Sequence, residues 1–428
     1  MTRYRVFLLL FALSLAGGLM YGRALWWSIA GALFALIVIA VVWAWTGVNW
    51  LRVARRSSLR VAQVGQHIEE EFRVTNLGRV PKLWLEIKDS STLMGHYASR
   101  VVGWIGGGQW RGWRVRTRCV ERGRYELGPI TVRSGDPLGI YQMQRTIELK
   151  NVLLVHPLVY EFREFPMPMG YLPGGEALRR RTHYITTNAA GVRDYVNGDS
   201  INRIHWGLSA KRNRLIVKEF ELDPMSDLWI ALDLHSAVHY AQTQAEAGGA
   251  DVLLAADPSP ETQGQDTDTF TLPPDTEEYA VSIAASAAHH FLRQNRSVGF
   301  LGYAQHRQLI PGERGERQHN KIMETLAVVT ADGNLPFERV LKAELSQLPR
   351  GSTVIAISPS PNVAWAEAIQ MAVRSGLRAV AIVIDAETFG GPNSNTDVIA
   401  ALAETGAVVR VVKCGEPLAQ AIERSVIL

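Results

Sequence analysis

The sequence predicts a multidomain membrane protein with two N-terminal transmembrane helices, an antiparallel β-sandwich-like module and a C-terminal α/β domain. Three observations carry this reading. Two long uncharged runs open the chain, short alternating segments broken by turn residues follow, and apolar strands alternating with helical segments fill the second half.

The anchor comes first. Val6–Gly22 is an uncharged run of 17 residues, and Ala24–Leu51 is one of 28. A helix needs about 20 residues to cross the hydrocarbon core, so the second run is ample and the first just sufficient. Trp26, Trp27, Trp43, Trp45 and Trp50 gather towards the ends of the second run, where indole rings favour the interface. The first run also fits a signal peptide, with Arg3 and Arg5 ahead of it and Ser14-Leu15-Ala16 as a small-x-small cleavage site. Under either reading Arg52, Arg55, Arg56 and Arg60 mark the following flank as cytoplasmic. With both runs kept, residues 1–52 form a hairpin turning at Gly22-Arg23. The expected location is then the plasma (inner) membrane, multi-pass, with the C-terminal body in the cytoplasm.

Residues 53–160 read as the β-module. The runs 69–76, 83–88, 113–119 and 130–133 are short and alternate apolar with polar residues. Asn76-Leu77-Gly78, Gly106-Gly107-Gly108 and Gly135-Asp136-Pro137 punctuate them, as in an antiparallel sandwich. Alternation puts Arg114, Arg116 and Arg118 on one face. A solvated outer face is the favoured reading, and contact with anionic lipid headgroups is the other.

Charge is distributed unevenly. The chain has 45 Lys+Arg against 41 Asp+Glu. Residues 1–60 hold seven Arg and no acid, residues 61–222 hold 24 basic and 16 acidic residues, and residues 223–428 hold 14 basic and 25 acidic. The basic balance therefore lies near the membrane. The acidic far end argues against nucleic acid as a partner and suits a basic protein surface. Two cysteines, Cys119 and Cys414, exclude a disulfide scaffold and a cysteine-rich zinc module.

Residues 161–222 form a connector dense in charge and aromatics. Asn197-Gly198-Asp199 is a turn signal, and Asp199 or Ser200 is placed to cap a helix running through Trp206 to Ala210. Three functions compete with a structural role. A Ser nucleophile would use Ser209, His205 and Asp199, but there is no G-x-S-x-G elbow and no acid orients the His. Phosphate or nucleic acid would use Arg179-Arg180-Arg181, Lys211, Arg212 and Arg214. A partner could also dock here. The favoured reading is structural: Arg193, Asp194, Asp199 and Arg203 pair as buried ions that tie the segment to its neighbours.

Residues 223–428 read as the α/β domain. Strands are expected at 227–234, 297–303, 308–310, 353–358, 378–384 and 407–412. Helices are expected at 277–294, 321–329, 337–348, 363–374, 397–405 and 417–424. Apolar strands alternating with helices mean a largely parallel sheet covered on both faces. An insertion at about 241–275 is rich in Ala, Gly, Asp, Thr, Pro and Gln, and residues 223–292 hold twelve acids and no Lys or Arg. This composition predicts a flexible acidic segment.

The residues resemble the bacterial and archaeal membrane proteins of domain-of-unknown-function family 58. The resemblance rests on Arg122-Gly123-Arg124-Tyr125-Glu126-Leu127-Gly128-Pro129 and Gly135-Asp136-Pro137-Leu138-Gly139-Ile140-Tyr141. Above all it rests on the signature positions Gly191, Arg193, Asp194, Tyr195, Gly198, Asp199, Arg203, His205, Trp206, Ser209 and Lys211, followed by Val217-Lys218-Glu219. It implies a von Willebrand factor A-like, Rossmann-type C-terminal domain, no established enzymatic activity, and a partnership with MoxR-type AAA+ ATPases. The signature positions are then structural or partner-docking. Domains of that type often bind a divalent cation through D-x-S-x-S and two further loops. Here Asp233 is kept, His235 and Ala237 replace the two Ser, Gly333-Asn334-Leu335 has no Thr, and Ser358-Pro359-Ser360 has no Asp. We therefore expect a degenerate cation site, no metal and no cofactor. The expected function is a non-enzymatic, membrane-anchored adaptor. The alternative is a membrane-associated hydrolase or metal-dependent enzyme, using the 199–212 segment or Asp233, His235 and His239.

Overall fold

Two apolar helices open the chain, α1 (Thr2–Tyr21) and α2 (Ala24–Val48). Gly22 joins them at φ +62, a conformation that favours glycine, and its N–H donates to the Gly18 carbonyl to end α1. A side chain at Gly17 would meet the Trp26 ring at 2.8 Å, so a small residue lets the two helices approach. Both are long and apolar enough to cross a membrane. This computed structural model describes residues 2–167, 189–195, 205–220, 227–242 and 270–424.

Ten strands follow in the same compact unit, residues 1–158. They are β1 (Leu51–Ser57), β2 (Val61–Gln63), β3 (His67–Asn76), β4 (Leu85–Asp89), β5 (Arg100–Val102), β6 (Trp110–Arg118), β7 (Gly123–Leu127), β8 (Ile130–Gly135), β9 (Gln142–Ile147) and β10 (Asn151–His156). Three sheets form, ordered β1-β3-β6, β5-β4-β8-β9 and β2-β10-β7. Val53, Phe72, Val74 and Trp113 of the first share one core with Leu85, Ile87, Ile130 and Val132 of the second. Alternation places these residues on one face of each strand. One pairing departs from the antiparallel expectation, because β2 runs parallel to β10.

The second departure is β1. The arginine-rich stretch after α2 is a strand, paired along its length with β3 from Leu51 opposite Asn76 to Ser57 opposite Glu70. Arg52, Arg56 and Arg60 are exposed, but the Arg55 side chain is buried. The expected row of flanking charges is therefore partly interior. Arg114, Arg116 and Arg118 lie opposite Glu71, Glu69 and His67, and the first two of them are exposed.

A second compact unit is built on residues 159–325 and 329–428. The start of the expected connector belongs to it: Phe162 and Phe165 pack against the His290 ring, and Ser286 Oγ accepts from the Tyr160 N–H. A hairpin of β11 (Ala189–Asp194) and β12 (Ile216–Phe220) carries the short helix α3 (Trp206–Arg212) between its strands. The α/β body follows as β13 (Leu228–Leu232), α4 (Thr276–Arg293), β14 (Val298–Tyr303), β15 (Arg307–Glu313), α5 (Glu316–Val328), α6 (Phe337–Leu345), β16 (Thr353–Ser358), α7 (Ala364–Arg374), β17 (Arg378–Ile384), α8 (Thr396–Ala403), β18 (Val408–Val412) and α9 (Leu418–Glu423).

Its six-stranded sheet is ordered β15-β14-β13-β16-β17-β18, all parallel except the edge strand β15. The central strands are buried almost throughout, as two covered faces require. Helix α5 starts five residues before the expected position, behind Gly315 at φ +88. Within the insertion, Ala241 bridges Asp275 and so closes the loop at its base. Residues 243–269, where flexibility is expected, lie outside the described residues.

Candidate functional site

The parallel sheet is built outward in both directions from β13 and β16. Ligands on such sheets usually bind beyond the carboxyl ends of the strands at that switch point. Asp233 follows β13 there and Ser358 ends β16. The Asp233 N–H donates to the Ile357 carbonyl at 3.0 Å, and Ser358 Oγ donates to Asp233 Oδ2 at 2.6 Å. The His235 N–H donates to Asp233 Oδ1 at 3.0 Å. Ser358 Oγ accepts in turn from the Ser360 N–H, and the Ser360 carbonyl accepts from the buried Trp365 indole.

The loop after α5 enters the same knot. Gly333 forms a bridge with His235, and a Cβ there would stand 2.2 Å from the Tyr303 carbonyl oxygen. Only glycine permits so close a backbone approach. The three loops compared in the sequence thus meet at one place, as the family resemblance implied.

Asp233 is 1% exposed. Burial pushes its carboxyl up to about 7, against the opposing pull of the Ser358 and His235 hydrogen bonds. Hard cations take six or more oxygen ligands, part of them water, and rely on at least one or two carboxylates free to coordinate. The donors present are one buried carboxylate, already holding two hydrogen bonds, and hydroxyls engaged in the same network. This set does not fit such a cation. His239 does not turn the site into a transition-metal centre either. Its Nε2 lies 3.0 Å from the Asp233 carbonyl and its Nδ1 3.2 Å from Thr276 Oγ1. His235 and His239 flank a 3-10 turn, Ser236–Val238, and are extended, so they do not share the helical face that their spacing suggested. Among the described residues no group of three or more His, Cys, Asp or Glu is placed to hold a metal.

The signature segment is built around α3. His205 caps it, with Nδ1 accepting from the Leu208 N–H at 3.2 Å. The helix begins later than the sequence suggested, with His205 instead of Asp199 or Ser200 at its cap. The buried Ser209 hydroxyl accepts from the Ile216 N–H at 2.9 Å, and the Ile216 carbonyl accepts from the His205 N–H at 2.7 Å. These bonds fasten α3 to β12. They also occupy the two groups a nucleophilic mechanism would need: the His205 lone pair faces the backbone, and Ser209 is held by Ile216. Asn213 ends the helix at φ +49.

Asp194 pairs with Arg214 at 2.9 Å, with both side chains more than half exposed. This corrects the expectation of a buried pair for Asp194, and its partner Arg214 is one of the residues that the competing phosphate or nucleic-acid reading would use. The Tyr195 N–H donates to the Leu215 carbonyl, whereas Trp206 and Lys211 face outward. The backbone of Gly191 and Arg193 lies in β11. Gly198, Asp199, Arg203 and Arg179–Arg181 lie outside the described residues.

Two polar clusters escaped the sequence reading. In the first unit, Arg55 Nε and Nη2 reach Glu70, and Nη1 reaches Asp89 at 3.1 Å. His96 Nε2 lies 3.1 Å from Glu70 and 3.3 Å from Asp89. All four side chains are almost wholly buried. The partners are up to 41 residues apart in sequence, so no local pattern reveals them. The second is Lys82, 2% exposed, whose Nζ donates to the Thr46 carbonyl in the last turn of α2. A cation at a helix C-terminus meets both the open carbonyls and the negative end of the helix dipole.

Comparison with known proteins agrees with the resemblance drawn from the signature residues. Residues 191–257 match the profile of a family described as protein of unknown function DUF58. The uncharacterized protein YeaD of Bacillus subtilis (strain 168) is 24% identical over 229 residues, and the match covers 53% of this chain and 48% of that protein. The chain thus spans about half the length of its curated relative. Among solved structures, an aerotolerance-related membrane protein from Bacteroides fragilis aligns at 12% identity and TM-score 0.30. The conserved hypothetical protein BatB from Bacteroides thetaiotaomicron aligns at 14% and 0.30. Each covers 46% of this chain and 95% of that structure. Likeness at that TM-score carries no argument about fold or activity.

Proposed function

We propose that this protein is a non-enzymatic adaptor held in the plasma (inner) membrane by α1 and α2, with its body in the cytoplasm and its acidic second unit offered to a partner. The partner class is a MoxR-type AAA+ ATPase. The observation that carries this reading is the use made of the candidate reactive groups. Asp233, His205 through Nδ1, and Ser209 all make hydrogen bonds that join strands, loops and helices of the second unit. The strand order, with one reversed edge strand, supports a von Willebrand factor A-like domain, and the shared core of two sheets supports a β-sandwich in the first unit.

Side of the membrane and partner are tested together. Protease added to sealed inverted vesicles should digest the body, whereas protease outside intact spheroplasts should spare it. Capture on a C-terminal tag should retain the cognate ATPase. A body digested only from the outside would overturn the reading.

A further inference from the structure

We propose that the end of the β-module next to α2 is itself a membrane-contacting surface, with its exposed tryptophan and leucine side chains seated at the lipid headgroup boundary. This rests on the reading of α1 and α2 as membrane spans and adds a second contact beyond them.

The register places the surface. Strand β1 begins at Leu51, three residues after α2 ends. Leu51 lies opposite Asn76, and Thr75 lies opposite Trp110, so the end of β3 and the start of β6 stand at the α2 end. In the second sheet Leu85 lies opposite Val102 and Glu86 opposite Arg133, which brings the segment after β5 and the β8–β9 turn to one end of that sheet. That end also faces the helices. A Cβ on Gly47 would stand 2.6 Å from Ser134 Oγ, and Tyr141 meets Tyr4 of α1 edge to face at 5.4 Å. The Lys82 bond to Thr46 fixes the same junction.

The loops gathered there carry large apolar side chains that the protein leaves uncovered. Trp104 is 55% exposed, Trp110 54%, Leu77 55% and Leu138 62%. Trp50 and Trp84 join them. A monomer in water rarely exposes so many large apolar groups on one end. Tryptophan is the side chain that favours the membrane interface, with an apolar ring for the acyl boundary and an N–H for the headgroups. Arg73 lies over the Trp110 ring at 4.3 Å, and Arg79 is exposed beside Val80, so cations for anionic lipid stand among the rings. The opposite end, where Met94 and Tyr97 are exposed, has no exposed tryptophan among the described residues and carries more charge. Arg56, Arg60, Lys150 and Val152 line a cleft there, one strand length away. The occupant is a lipid surface and not a protein because α2 enters the bilayer from this same end and holds the loops at its level.

The test uses the full chain in phospholipid nanodiscs, with Cys414→Ser as background, since Cys119 is fully buried. Nitroxide labels go on Trp104→Cys, Leu138→Cys, Val152→Cys and Ile39→Cys, one at a time, and relaxation by oxygen is compared with relaxation by a water-soluble nickel chelate. At 104 and 138 the oxygen-to-nickel ratio should rise several-fold above that at 152 and approach that at 39. Labels at 104 and 138 that match 152, with 39 still in lipid, would overturn the proposal and leave the spans standing. A label at 39 that itself reads as water-exposed would remove the spans and this surface together. A label at 152 that reads as lipid-exposed would also overturn it, because the module would then have no preferred end.

Discussion

Ser358 donates a 2.6 Å hydrogen bond to Asp233 across the two strands from which the parallel sheet grows outward. The pair lies where ligands usually enter folds of this kind, and here it is wholly buried. It holds the β13 and β16 loops together.

The buried Asp233 carboxyl makes stability fall as pH rises. Its folded pKa of about 7 lies above the ordinary value near 3.8. The folded protein therefore holds a proton that the unfolded chain has released, and stability declines between those two values and levels off above them. The shift corresponds to about 4 kcal/mol. Asp233→Asn should abolish that slope, leaving the variant more stable than the parent at about pH 8 and equal to it at about pH 4. Denaturant unfolding of the second-unit transition at several pH values checks this.

The Arg55 cluster predicts a maximum for the first unit, in place of a one-sided decline. Burial alone would lower the His96 pKa, but the Asp89 and Glu70 carboxylates outweigh it and raise it. Burial alone would raise Glu70 and Asp89, but His96 leads the partners that bring both down, with Arg55 acting on both and Ser91 on Asp89. The His96 contribution is complete below about 6.5 and is lost as pH rises through its folded pKa. The carboxylate contributions are complete above about 4.3 and are lost as pH falls. First-unit stability should peak between these limits. His96→Ala should flatten the alkaline side. Arg55→Ala, which strands two buried carboxylates, should cost about 3–5 kcal/mol. Thermal unfolding across pH reads both.

How much of this was legible depended on the range of the contacts. The α/β body was readable because runs such as Ala379–Ile384 are continuous apolar strands and the segments between them have helical spacing. Asp233 and Ser358 were legible as strand ends, whereas the Gly333 loop between α5 and α6 entered only through the family resemblance. Strand β1 was not readable, because its arginines match the signature of a membrane flank and Arg55 is neutralised by carboxylates 15 and 34 positions away, Glu70 and Asp89. The α3 cap was misplaced because His205 is a weaker capping signal than Asp199 or Ser200.

Substitutions in the signature segment should act on stability and not on chemistry. Ser209→Ala leaves the Ile216 N–H without its buried acceptor and should cost about 1–3 kcal/mol. His205→Ala removes the α3 cap and should cost about 1 kcal/mol. Thermal shift measures the losses. A variant that abolished a hydrolytic activity of the parent without any loss of stability would contradict the structural assignment.

Lys82 should decide how firmly α2 and the β-module are joined. Lys82→Met keeps the side-chain length but leaves the Thr46 carbonyl without its donor. Spin labels at positions 39 and 138 should give a broader distance distribution in the variant than in the parent. An unchanged distribution would show that the apolar junction suffices.

The most direct measurement of the central claim is binding of the purified MoxR-type ATPase to this protein in nanodiscs, with the full chain compared against one lacking residues 226–428. The adaptor account predicts saturable binding to the full chain and its loss on the truncated one. Equal binding to both, or none to the full chain, would contradict it.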